Sequence, residues 1–279
     1  MLQKAYLEIT NRCNLACAFC HGTKRPCRDL SREEFEFLTD RLAGHIRYLY
    51  FHLLGEPLIH PDLPFFIVRA KEKGFLPMLT TNGTLLSDRA EELLSVPLHK
   101  ISISLHAPEA NGAFATDSYL STCAEYAAAA AENGTVAVLR LWNIDGLAEG
   151  NGIVLERLRS LFSEPWEETR SGYRIRKNVY LEWGKKFDWP DPDLPELSDS
   201  FFCYGLRDQI GILSDGTAVP CCLDAEGNCA LGNLFDTPLE EILHSPRAQA
   251  IYNGFTNHKA VEPLCRRCGY AAVTKQYHR

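Results

Sequence analysis

Apolar and polar positions alternate in short runs over the first two-thirds of the chain. Leu7 and Ile9 alternate with Tyr6, Glu8 and Thr10; Ile101, Ile103 and Leu105 alternate with Ser102, Ser104 and His106. Val138, Arg140 and Trp142 share one face, as do Tyr180 and Glu182. A period of two predicts strands, here over 5–10, 47–53, 76–81, 100–106, 136–142 and 179–183. Helical spacing fills the gaps. Ser31 and Glu34 form a capping box, Phe35, Leu38 and Leu42 follow on one face, and Gly44 ends the helix. Further helices are expected over 62–73, from about Ser87, over 117–133 and over 153–162. A βα order repeated about six times implies a parallel sheet with helices outside. A flat, doubly wound sheet is usually apolar on both faces. One polar face per strand suits a barrel whose lumen holds a polar ligand. Six units fall short of eight, so the expected fold is α/β, a partial (β/α)6 TIM-like barrel, open, with its site at the C-terminal strand ends.

The character changes at WPDPDLPELSDS, rich in proline and acids, which reads as a linker. The expected division is a barrel over 1–188, a linker over 189–200 and a small C-terminal domain over 201–279. In that last part QIGILSDGTAVPCC suggests a β-hairpin turning at Asp215-Gly216, and Thr237-Pro238 with Glu240 opens a short helix.

The formal net charge of −7 over 279 residues gives no general attraction to nucleic acid or anionic lipid, and the basic run 174–177 reads as solvated surface. Neither a signal peptide nor an apolar run of the roughly 20 residues of a membrane span is visible. The expectation is a cytoplasmic protein without nucleic-acid or membrane partners. There the 11 cysteines would stay reduced, and clusters of them more often bind metal than pair.

RCNLACAFCHG holds Cys13, Cys17 and Cys20 at spacing C-x3-C-x2-C, directly after the first strand. A structural zinc site needs four ligands. Three thiolates can hold three irons of a [4Fe–4S] cluster and leave the fourth open to a ligand. The segment, with an aromatic Phe19 before the last cysteine, resembles the radical S-adenosylmethionine (SAM) signature C-x3-C-x-Φ-C. The resemblance covers roughly residues 5 to 185. It implies that the open iron chelates SAM, that reductive cleavage yields a 5′-deoxyadenosyl radical, and that an external donor such as flavodoxin or ferredoxin supplies the electron. Gly55-Glu56-Pro57 resembles the family's GGEP motif, with Leu54 replacing its first glycine; backbone and glutamate there receive the SAM amino group. Thr80-Thr81-Asn82-Gly83 resembles its TNG element, bringing Thr80 and Asn82 near the ribose and methionine. Ser104 and Arg140 match positions that meet the SAM ribose and carboxylate, and Phe19 is expected near the adenine. An arginine suits a carboxylate; a lumen ion pair with Glu8 or Glu182 is the structural alternative for Arg140.

Cys203, twelve residues, Gly216, four residues and Cys221 resemble the auxiliary-cluster pattern C-x9–15-G-x4-C, and Cys265 with Cys268 would complete four thiolates. Only eleven residues follow Cys268, so the expected form is the shortened "twitch" version of the SPASM domain, with one auxiliary [4Fe–4S] cluster. Zinc on the same four cysteines stays open on spacing alone. Cys222 and Cys229 lie between the pairs; the glycine spacing favours Cys221 over Cys222. Cys123 reads as a core residue.

A second cluster could take the electron from a substrate radical while a side chain takes a proton. The expected activity is therefore oxidation, in particular dehydrogenation of a small polar metabolite; among short twitch-bearing relatives, an aminocyclitol dehydrogenase is similar in length and cysteine layout. Because the first strand begins near residue 5, no N-terminal peptide-recognition module is expected. Maturation of a ribosomal peptide, for example by a thioether cross-link, is the alternative within the same chemistry. An iron–sulfur electron carrier without SAM cleavage is the alternative outside it. Expected acid–base residues are His106 and Glu182, at strand C-termini, and Glu8; His52 and Trp142 are further lumen candidates.

Overall fold

In the computed structural model, residues 2–274 are described except Phe114 and Leu147. The six expected strands all form: β1 (Lys4–Leu7), β2 (Tyr48–Tyr50), β3 (Leu76–Thr81), β4 (Lys100–Ser104), β5 (Val136–Ile144) and, after an intervening hairpin, β8 (Val179–Lys185). They pair in parallel and in that order. The helices α1 (Arg32–Leu42), α2 (Leu63–Glu72), α3 (Leu86–Leu94), α4 (Asp117–Glu132) and α5 (Asn151–Leu161) fall where the periodicity puts them. Ser31 and Glu34 cap α1 reciprocally, which is worth about 1 kcal/mol.

The alternation explains the curvature. Leu7, Ile9, Leu49, Phe51, Ile101, Ile103, Leu139 and Leu141 are buried against the helices, with Phe35 and Phe66 stacked 4.2 Å apart in that layer. The intervening side chains, Tyr6, Tyr50, Ser104, Arg140, Trp142, Tyr180 and Glu182, face the lumen and are only half buried.

Two features lie beyond the sequence reading. An antiparallel hairpin, β6 (Glu167–Thr169) and β7 (Gly172–Arg176), is inserted after α5 and extends the sheet past β8. On the opposite side the C-terminal part joins the same sheet. The expected hairpin forms as β9 (Gln209–Ile212) and β10 (Thr217–Val219), and β9 pairs in parallel with β1, Lys4 opposite Gln209 and Leu7 opposite Ile212. A short β11 (Gly232–Asn233) follows, then α6 (Leu239–His244), α7 (Pro246–Thr256) and α8 (Gly269–Thr274). Among the described residues, one open sheet of 11 strands thus carries both parts. Among the described residues no helix is long and apolar enough to cross a membrane.

Candidate active site

The loop after β1 carries Cys13, Cys17 and Cys20, all free and at least partly exposed. Each sulfur accepts an N–H: Leu15 N to Cys13 Sγ at 3.5 Å, Gly22 N to Cys20 Sγ at 3.5 Å, and Asn111 Nδ2 to Cys17 Sγ at 3.1 Å. Donors aimed at sulfur favour thiolate, the form that binds metal. Burial nevertheless pushes the Cys13 and Cys17 thiols up, so without a cation the loop holds them protonated. Asn111, in the turn after β4, also accepts from Ala16 N at 3.0 Å, and Ala18 N reaches Ala110 O at 2.9 Å. The turn after β4 therefore clamps the loop after β1. No sequence signal marks this pair, which is separated by more than ninety residues.

The GEP and TNG turns pack beneath that loop. Gly55 has φ +78°, and a Cβ there would stand 2.5 Å from Thr10 O and 2.8 Å from Arg12 O. Only glycine lets the two loops approach so closely. Buried Glu56 accepts from Leu58 N at 3.0 Å and Asn82 N at 2.7 Å, tying the turn after β2 to the turn after β3. Pro57 opens the short 3-10 turn 57–59. Asn82 donates to Asn14 Oδ1 at 2.9 Å, inside the cysteine loop, and Thr80 faces the lumen half-buried. The GEP and TNG turns are thus brought together against the cysteine loop, with Glu56 and Asn82 serving as ties between loops.

In the lumen Ser104 pairs in register with Arg140, and Arg140 with Glu182. Arg140 Nε lies 3.7 Å from Glu182, and its guanidinium sits 4.5 Å from the Trp142 ring centroid. Tyr6 and Tyr50 stack at 4.5 Å, with His52 edge-on to both. His52 Nδ1, Arg140 Nε and Trp142 Nε1 are buried and have no hydrogen-bond partner. Three orphaned polar atoms in one lumen mark a place made for a polar guest. Burial, with Arg140 nearby, holds the His52 pKa down to about 3, so its ring is neutral at any ordinary pH.

Two expected acid–base residues are placed differently from expectation. Glu8 is fully buried; Arg25 donates to both its oxygens, at 2.9 and 2.7 Å, and Ser214 Oγ donates at 2.9 Å. Those contacts commit Glu8 to tying the cysteine loop to the β9–β10 hairpin and take it out of the acid–base set. His106 is buried with Nδ1 3.1 Å from Arg140 O and its ring 5.1 Å from Phe19, so it packs beside the cysteine loop, and burial lowers its pKa. Glu182 stays half-exposed in the lumen.

The second thiol set lies at the other end of the strands. Cys203 precedes β9 and Cys221 follows β10, level with the N-terminal end of β1, whereas Cys13 lies beyond its C-terminal end. Cys203, Cys221, Cys265 and Cys268 line one apolar cavity with Phe201, Phe255 and Leu264; Cys229 lines it too. Burial pushes the Cys203, Cys221 and Cys268 thiols up, Cys203 to about 11. Among the described residues no three His, Cys, Asp or Glu side chains converge on a point able to hold a single metal ion. Thiols spread around an apolar cavity suit a cubane, which is wider than one ion, better than zinc. Cys222 points away, toward Tyr6. Cys123 is core, as expected, with its thiol pushed up to about 12.

Between the two sets runs a chain of cavities. One of about 440 Å3 is bounded by Lys4, Tyr6 and Trp142 on the barrel side and by Cys203, Cys221 and Cys268 on the other. A smaller one lies between Phe19, His106 and Trp142, and a more open one of about 580 Å3 runs from Trp142 along β6–β7 to Tyr270. Trp142 borders all three.

An open parallel barrel carries three thiols at one strand end and a thiol-lined cavity at the other, and the family models give its class. The radical SAM superfamily model matches residues 7–132, and the SPASM iron–sulfur cluster-binding domain matches 203–269. The chain belongs to the radical SAM superfamily and carries a SPASM-type domain, and [4Fe–4S] clusters and SAM are the cofactors of that class.

The chain is 36% identical over 102 residues to Fe-coproporphyrin III synthase of Methanosarcina barkeri, covering 35% of this chain and 26% of that protein. It is 28% identical over 272 residues to a probable GTP 3′,8-cyclase of Methanothermobacter thermautotrophicus, covering 83% and 86%. Against the first curated relatives the matched part spans about a quarter to a third of their length. Among solved structures, BtrN in complex with AdoMet and 2-DOIA superposes with TM-score 0.63 at 18% identity, covering 96% of this chain and 93% of that one. Streptococcus suis SuiB bound to precursor peptide SuiA gives 0.56 at 14%, covering 96% and 70%. At such identities the likeness is one of fold.

Proposed function

We propose that this enzyme oxidises a small polar molecule, by dehydrogenation, in the lumen cavity between its two thiol sets. The observation that carries this reading is the cavity of about 440 Å3 whose walls are Tyr6 and Trp142 on one side and Cys203, Cys221 and Cys268 on the other. Its size suits a small-molecule ligand. A guest there touches the barrel's polar face and the auxiliary thiols together.

Cys13, Cys17 and Cys20 would hold the SAM-binding cluster. Backbone of the Gly55–Pro57 turn, Thr80, Asn82, Ser104 and Arg140 would hold SAM, and Phe19 would pack on it. Cys203, Cys221, Cys265 and Cys268 would hold the auxiliary cluster. When bound, these groups supply the radical that removes a hydrogen atom and the acceptor for the remaining electron. The chain's own part is to orient the substrate, exclude water and receive the proton. Glu182, half-exposed and held near Arg140, is the acid–base candidate, and neutral His52 offers an unpartnered Nδ1 in the same lumen. An external one-electron donor is part of the reading.

A second reading, peptide maturation, is favoured by the open cavity of about 580 Å3 along β6–β7. Exposed β6 ends the sheet there, and an extended peptide can add to a sheet edge.

The test is anaerobic reconstitution with iron and sulfide, an iron count, then dithionite and SAM. About eight irons per chain, two cubanes, with 5′-deoxyadenosine formed, are expected. Deuterium transfer from a labelled polyol or aminocyclitol panel into 5′-deoxyadenosine would support the metabolite; transfer from peptides alone would replace it with the second reading. Clusters without any 5′-deoxyadenosine would leave an electron carrier.

A further inference from the structure

The auxiliary cavity contains one thiol more than a cubane needs. Cys203, Cys221 and Cys268 border both this cavity and the substrate cavity; Cys229 and Cys265 border only the inner one, on its far side. The Cys229 and Cys265 side chains lie near each other, and Cys229 also lies near Glu262. Cys203, Cys221 and Cys268 would each hold one corner of a cluster, and the neighbouring Cys229 and Cys265 would share the fourth.

Cys229 is not a stray thiol in a loose loop. It is 2% exposed. Buried Asp224 accepts from Asn228 N at 2.8 Å and Cys229 N at 2.7 Å, fixing the turn that presents it. Arg247 donates to Asn228 O at 3.1 Å and Ala230 O at 2.9 Å, on either side of Cys229. The same arginine grips Glu262 through two contacts of 2.8 Å. Glu262 lies three residues before Cys265, so one guanidinium fastens both thiol-bearing segments together.

We propose that Cys229 is an alternative fourth ligand of the auxiliary cluster, interchangeable with Cys265. The exchange breaks one Fe–S(Cys) bond and forms another; the departing thiolate takes the proton that the incoming thiol releases, and no electron moves. The inference rests on the reading of this cavity as a cluster site.

The experiment uses the full chain with Cys13, Cys17 and Cys20 all replaced by alanine, so that only the auxiliary site binds iron. Variants Cys229→Ala, Cys265→Ala and the double variant are added, reconstituted and read by iron content and by electron paramagnetic resonance of the reduced state. The expected result is about four irons in the parent and in each single variant, with the Cys265→Ala signal shifted from the parent's, and in the double variant, left with three thiolates, a third signal and iron lost to a chelator at least threefold faster than in either single variant. Loss of the cluster in Cys265→Ala alone, with parent and Cys229→Ala loaded, overturns the inference and leaves the cluster reading standing. A parent without iron overturns the cluster reading and the inference with it. Cys265→Ser, with circular dichroism on every variant, separates ligand loss from misfolding; iron loss in a folded Cys265→Ser variant counts against exchange in the same way.

Discussion

At the scale of single residues, the site is held by groups whose chemistry is fixed by their neighbours. Gly55 is the sharpest case. A methyl group there meets two backbone carbonyls under 3 Å away, at a φ that non-glycine residues avoid. Gly55→Ala should separate the GEP turn from the cysteine loop; we expect a stability loss of about 2–4 kcal/mol, read by denaturant titration, and faster iron loss to a chelator. An unchanged midpoint would mean the loops need not touch. His52 gives a pH prediction. Its folded pKa of about 3 lies below the ordinary value of 6.5. As pH falls below about 6.5 the unfolded chain binds a proton that the folded chain refuses. Stability is therefore full above that pH and declines toward pH 3. His52→Gln should flatten part of this decline in melting temperature between pH 7 and pH 4. Burial lowers the pKa of His60 and His106 as well, so some of the slope will persist.

At the scale of elements, strands and helices were legible and the ties between them were not. Period-two alternation is a local signal, and all six parallel strands lay where it put them. The Ser31 capping box is local too. The β6–β7 hairpin was missed because its strands are short and Glu167–Thr169 is wholly exposed, leaving no burial to imprint a pattern. The Cys-x3-Cys-x2-Cys loop was readable because its chemistry is packed into eight residues. Its supports were not, since Asn111 and Ser214 come from distant parts of the chain. Glu8 shows the cost of that blindness: an acid on a polar strand face reads as a candidate base until Arg25 and Ser214 are seen around it. Two predictions belong here. Glu8→Gln leaves the Arg25 guanidinium, a mostly buried charge, unpaired and should cost about 3–5 kcal/mol, measured by chemical denaturation. A loss below 1 kcal/mol would show that the tie is dispensable. Asn111→Leu removes both contacts to the cysteine loop; the expected effect is several-fold faster bleaching of the SAM-site cluster in air, with the auxiliary cluster unaffected.

At the scale of the whole molecule, one sheet puts two thiol sets at opposite ends of its lumen. Because β9 adds to β1 in parallel register, Cys203 and Cys221 come level with Lys4 while Cys13 to Cys20 stand past the other end of the same strand. A substrate in the cavity between them would meet radical chemistry at one wall and an electron acceptor at the other, without moving. The two sets should then fail separately. Cys13→Ala, Cys17→Ala and Cys20→Ala together should leave about half the iron and abolish 5′-deoxyadenosine. Cys203→Ala with Cys221→Ala should also leave about half the iron, yet keep SAM cleavage and hydrogen abstraction. Deuterium would still appear in 5′-deoxyadenosine, while oxidised product would fall by at least tenfold, because the substrate radical has lost its electron acceptor. Product formed at the normal rate by that second variant would mean that the electron leaves by another route, and that the C-terminal thiols hold the fold together rather than complete the reaction.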